Sequence, residues 1–169
     1  CYNLTSIPTG LFDKNINVTS FYCCFQDCST LESIPERLFD KNIEVEAFNA
    51  CFSHCTNLKE IPKGLFDKNK KATNFMRCFS FCSNVTLNKN IFSNEGNTDR
   101  FSGMNMLFNY CFQNAGEQNE NPGEAPELWK YERGSSTWNT TGCFYNAKAT
   151  NLTSDNKYNT EWGTPLNWN

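Results

Sequence analysis

Apolar and polar positions follow one another along this chain in a comb that repeats every 27 residues, with Cys1, Cys28, Cys55 and Cys82 opening successive copies. Laid over one another, residues 1–27, 28–54 and 55–81 give columns of like residues: Leu4, Leu31 and Leu58; Ile7, Ile34 and Ile61; Leu11, Leu38 and Leu65; Phe12, Phe39 and Phe66. Phe21, Phe48 and Phe75 follow, then Phe25, Phe52 and Phe79. These positions face inward. A unit this short cannot bury its own apolar face, so the copies must stack.

The pattern within a unit predicts its elements. Leu-x-x-Ile reads as a short strand ended by Pro8, Pro35 or Pro62, because proline has no N–H for a sheet ladder. Strands from successive units would pair in parallel at about 4.8 Å. Leu-Phe reads as a short helical turn leading into Asp-Lys-Asn, whose residue types favour turns. Val18 and Val45 open a second extended segment, and Cys-Phe-x-x-Cys reads as a second helical turn. The expected fold is an α/β repeat: a right-handed solenoid of 27-residue units with short parallel strands, short helical or 3-10 turns and a C-terminal cap.

The whole chain, 1–169, reads as one such domain, with regular repeats over 1–81, a degenerate repeat over 82–115 and a loop and cap over 116–169. Extra residues near Glu95 to Gly103 are expected to bulge as a loop, and the polar stretch Gln113 to Glu127 to lie on the surface. Trp129, Trp138, Trp162 and Trp168 all fall in the last portion, where a stack must cover its core. Cys1 sits in the second Cys column, so two readings of this start stand. Either the piece continues a longer array, which the periodicity favours, or Cys1 is the lipid-modified first residue of a bacterial lipoprotein.

Composition changes the picture of the interior. Phe reaches 15 and Cys 10, so aromatic and thiol columns replace aliphatic mass. If Cys24 and Cys28, Cys51 and Cys55, or Cys78 and Cys82 share one helical face, their β-carbons lie roughly 5–6 Å apart. A disulfide prefers about 3.8 Å, which favours buried free thiols. Cys23 stands outside these columns with Ala50 and Arg77 as mates, and is the candidate exposed thiol. The net charge of −3 argues against a nucleic-acid partner. No apolar run reaches the roughly 18 residues of a membrane span, leaving membrane anchoring to parts outside the chain or a lipid on Cys1.

Catalytic and metal chemistry find little support. The repeated CxxxC pairs belong to successive layers and lack histidine companions, since His54 stands alone with Asp27 and Phe81 as mates. Only His54 could serve a nucleophile, and its neighbour Cys55 belongs to an inward column. Glu117, Glu120, Glu124 and Glu127 read as a solvated acidic loop rather than a paired-carboxylate site. Asp13, Asp40 and Asp67 form an outward column that could hold calcium, but Lys14, Lys41 and Lys68 beside them compensate the charge. No enzyme, cofactor or metal site is expected.

Charge is patterned instead. The second unit is net −3 and the third net +4, making Glu32, Glu36, Glu44, Glu46, Lys59, Lys63, Lys70 and Lys71 the candidate binding surface. Adjacent layers of opposite sign could equally pair with each other, or steer a protein partner.

The unit Cys-x-x-Leu-x-x-Ile-Pro-x-x-Leu-Phe, followed by Val-Thr-x-Phe-x-x-Cys-Phe-x-x-Cys, resembles the BspA-like class of leucine-rich repeats in surface proteins of oral and gut bacteria. The resemblance covers residues 1 to about 115 closely; its copies carry more Phe and Pro than the commonest form. It implies a leucine-rich-repeat-like solenoid, a bacterial cell-surface or secreted location, and non-catalytic adhesion to a host or microbial surface protein. Two other functions stay open: a spacer or stalk for a neighbouring domain, and a glycan-binding module using exposed C-terminal aromatics such as Trp138 or Trp162.

Overall fold

The computed structural model describes residues 2–92 and 98–153, and in them the 27-residue repetition is a spatial one. Ser6 pairs with Ser33 on one side, while on the other Ser20 pairs with Ala47, Ala47 with Asn74, Asn74 with Leu107 and Leu107 with Asn139. The units therefore lie on one another as layers: 2–27, 28–54, 55–81, 82–115 and 116–153.

The expected α/β solenoid of parallel strands and helical turns does not form. Among the described residues, pairing is confined to seven isolated parallel bridges with no strand or sheet. The helical content is a single 3-10 turn, Leu128–Lys130. The reason lies in the Phe-x-x-Cys-Phe-x-x-Cys segment. Cys23, Ala50, Arg77 and Tyr110 have φ between 53° and 57°, and Asp27, His54, Phe81 and Asn114 between 56° and 61°. A left-handed residue at every fourth position stops a helix after each turn.

The same alternation decides where the N–H groups go. Cys24, Gln26 and Cys28 bond back three residues to Phe21, Cys23 and Phe25. Phe21, Cys23, Phe25 and Asp27 donate instead to the carbonyls of Ala47, Asn49, Cys51 and Ser53 in the next layer, at 2.8–3.1 Å. Phe48, Ala50, Phe52 and His54 do the same to Asn74, Met76, Cys78 and Ser80. In this segment all four interlayer bonds run one way, whereas each chain of a parallel strand pair both donates to and accepts from its neighbour. Two left-handed residues per layer cost about 2–4 kcal/mol. The two Phe that the segment turns inward contribute about 3–6 kcal/mol, which offsets that cost.

Packing follows the columns. Phe25, Phe52, Phe79, Phe112 and Phe144 stack with centroids 5.3–5.7 Å apart and rings within 10° of parallel. Phe21, Phe48, Phe75 and Phe108 form a second ladder at 5.6–5.8 Å. The expected Cys columns are buried from the second layer on, and no disulfide joins the described cysteines. Their thiols act as donors: Cys55 Sγ reaches the Phe25 carbonyl at 3.2 Å, and Cys82 Sγ that of Phe52 at 3.1 Å. In the first layer the inward assignment fails for Cys24 and Leu11, which are both exposed. No described layer packs on that side of them.

A further ladder is built of side-chain amides. Asn42 Nδ2 donates to the carbonyls of Phe12 and Asn15 at 3.1 and 2.9 Å, and Asn69 Nδ2 to those of Phe39 and Asn42 at 3.2 and 2.9 Å. Arg100 takes the next place. Its Nη2 donates to the Phe66 carbonyl at 2.7 Å, its guanidinium lies over the rings of Phe92 and Phe101, and burial lowers its pKa.

Two segments expected on the surface are partly inside. In the stretch from Glu95 to Gly103, Phe101 is buried against Phe92, Phe108 and Trp138; residues 93–97 lie outside the described residues. The polar stretch 113–127 supplies a backbone bridge on the Ser6–Ser33 side of the stack, with Gly123 bridged to Leu87 and Ala125 buried. Gly123 has φ +72°, and a Cβ there would collide with the Leu87 carbonyl. Trp138 covers Phe101 and Phe108 under the guanidinium of Arg133, and Trp129 meets the edge of Phe144. Cys1, Trp162 and Trp168 lie outside the described residues, and so does the lipid-anchor expectation.

Candidate functional site

The segment that turns Phe and Cys inward turns two residues out of every four outward, and these line a groove of about 400 Å³ crossing four layers. Its floor is small and polar. Ala50, Ser53 and Ser80 form it, with Ser53 and Ser80 almost wholly buried. Carboxamides stand along it at Gln26, Asn49 and Gln113. Ser80 Oγ donates to Gln113 Oε1 at 3.5 Å.

Rings form the walls. His54 and Phe81 occupy one left-handed column and stack with centroids 4.6 Å apart and planes 15° from parallel. Arg77 reaches across to the Tyr110 ring at 5.5 Å. Tyr22 stands exposed at the first-layer end, where its hydroxyl's hydrogen bond to Cys23, then Coulombic repulsion from that side chain, pushes the phenol pKa up. Arg77 is the only charged residue lining the groove among the described residues.

Cys23, the candidate thiol, lines this groove half-buried, and its left-handed φ of 53° directs it there. Cys24 is the more exposed thiol of the two; burial, then the nearby Cys28, raises its pKa. Burial pushes Cys55 up to about 12 and Cys51, Cys78 and Cys82 well above the ordinary range, so these thiols stay protonated and structural at neutral pH.

The eight charged residues chosen from sequence do not converge. They lie outside the groove, in columns around the layers. Lys71 Nζ meets Glu44 Oε2 at 2.6 Å, Lys59 bonds through its backbone to the Glu32 carbonyl at 3.0 Å, and Glu36 and Lys63 flank one shallow depression. Opposite charges thus face each other from layer to layer, at least at Glu44 and Lys71. Glu46 is exposed and its carbonyl accepts from Thr73 and Asn74, while burial is the first cause lowering the Lys70 pKa. In the aspartate column, Asp40 is taken by Arg37 at 2.8 Å and Asp67 lies 4.0 Å from buried Arg100.

His54 does not complete a catalytic relay. Ser53 Oγ lies 2.9 Å from His54 Nδ1 and Asp27 Oδ1 lies 3.9 Å from the same nitrogen. A relay needs base and orienting carboxylate on opposite ring nitrogens. Trp138, offered as an exposed glycan-binding ring, is buried at 8% exposure and packs on Phe101 and Phe108. That role is withdrawn for it.

The groove itself was missed in the sequence. The signal was present: Asp27, His54, Asn114 and Asn146 share one column, and these residue types tolerate left-handed backbone better than most. No protein-family model matches the chain, and no curated protein matches it.

Proposed function

We propose that this chain is a non-catalytic binding and adhesion module, at a cell surface or secreted, that engages a host or microbial macromolecule along its grooved side. The observation that carries this reading is the groove. It repeats polar and ring-bearing residues layer after layer, over a backbone whose hydrogen bonds are already used between layers. A site repeated along a rigid stack suits an elongated partner that makes many weak contacts.

The charged columns support a division of labour. Lys71 pairs with Glu44 across two layers, and the other charged positions do not converge on one surface, which leaves recognition to the groove. The test is binding of fluorescently labelled chain to panels of bacterial and epithelial cells. Saturable binding lost in a double His54→Asn, Phe81→Asn variant and kept in a Lys59→Ala, Lys63→Ala variant is the expected result. Binding to no cell, or binding indifferent to the groove variant, would leave a spacer as the better reading.

A further inference from the structure

We propose that the groove takes a linear, uncharged glycan, laid along the stack with one sugar facing each layer. This inference rests on the binding-module reading and names its ligand class. The groove offers partly exposed carboxamides at Gln26, Asn49 and Gln113, set over the near-buried hydroxyls of Ser53 and Ser80. Each such group can donate and accept, matching sugar hydroxyls, which also do both. The outward edge of the His54–Phe81 stack adds ring surface against which the C–H side of a pyranose can lie.

An extended peptide fits less well, for two reasons. Peptides bound in this form pair their backbone with a free edge, but the N–H groups of Cys23, Ala50 and Arg77 are already spent on the next layer. Spacing decides further. Same-side residues of a strand recur at about 6.6–6.8 Å, whereas the Phe ladder under the groove repeats at 5.3–5.7 Å. A chain that advances one pyranose ring per unit stays near this register over several layers. A polyanion is disfavoured because Arg77 is the groove's one cation among the described residues and lies over Tyr110.

The full chain would be titrated with cellohexaose, mannohexaose and chitohexaose, following amide shifts and heats of binding. At least one should bind saturably, with the largest shifts at Ala50, Ser53 and Ser80. The double His54→Asn, Phe81→Asn variant should weaken it by about tenfold or more. That variant keeps the column's own chemistry, since Asn114 and Asn146 hold the same left-handed place, and an unchanged spectrum elsewhere would show that it folds. No shift with any of the three sugars, or equal affinity in the variant, overturns the proposal. If groove-dependent cell binding survives while all three sugars fail, the ligand class alone falls; if cell binding is absent too, both readings fall.

Discussion

Asn42 and Asn69 show what a single residue does in this molecule. Each amide reaches back one layer and gives a second hydrogen bond to two carbonyls that already accept a backbone N–H in their own turn, while itself almost wholly buried. Removing the amide deletes two interlayer hydrogen bonds at about 0.5–1.5 kcal/mol each, about 1–3 kcal/mol in all. Asn69→Ala should therefore lower stability by about that amount in urea unfolding, and an unchanged midpoint would remove the ladder from the account. The buried thiols make a second statement at this scale. The Cys55 pKa is pushed up to about 12 from an ordinary 9.0, first by burial. An unfolded chain ionises there near pH 9 while the folded one does not. Stability should hold steady below pH 9 and fall progressively between 9 and 12, read as the thermal midpoint against pH.

At the scale of the element, the eight residues from Phe48 to Cys55 explain both the success and the failure of reading the sequence. The inward positions Phe48, Cys51, Phe52 and Cys55 were legible, because internal repetition and residue type agreed on them. Their conformation was not. A helix and a chain with a left-handed residue every fourth position place inward groups almost alike over so short a span, so spacing alone cannot separate them. Ala50 is where the two differ, with φ 54° in a column that ends on Gly142, φ +58°. Ala50→Gly should raise stability by up to about 1 kcal/mol, since glycine has no left-handed penalty. In a helix the same change would lower it by a similar amount.

Across the whole molecule, the layers are joined by backbone bonds on two sides, ring ladders within and amides between. The period, the layer boundaries over 1–81 and the aromatic columns could be read from the sequence. The rung supplied by Gly123 and the buried place of Arg100 could not, because both lie where the comb breaks and a polar composition hides an inward role. The groove follows from the one-way ladder: it consumes the backbone and leaves pairs of side chains facing out. The direct test is through-hydrogen-bond coupling between amide nitrogens and carbonyl carbons in NMR. The amides of Phe48, Ala50, Phe52 and His54 should couple to the carbonyls of Asn74, Met76, Cys78 and Ser80, and that of Cys51 to Phe48 in its own layer. Coupling of Cys51 or Ser53 to carbonyls of the preceding layer, as paired parallel strands require, would contradict the account.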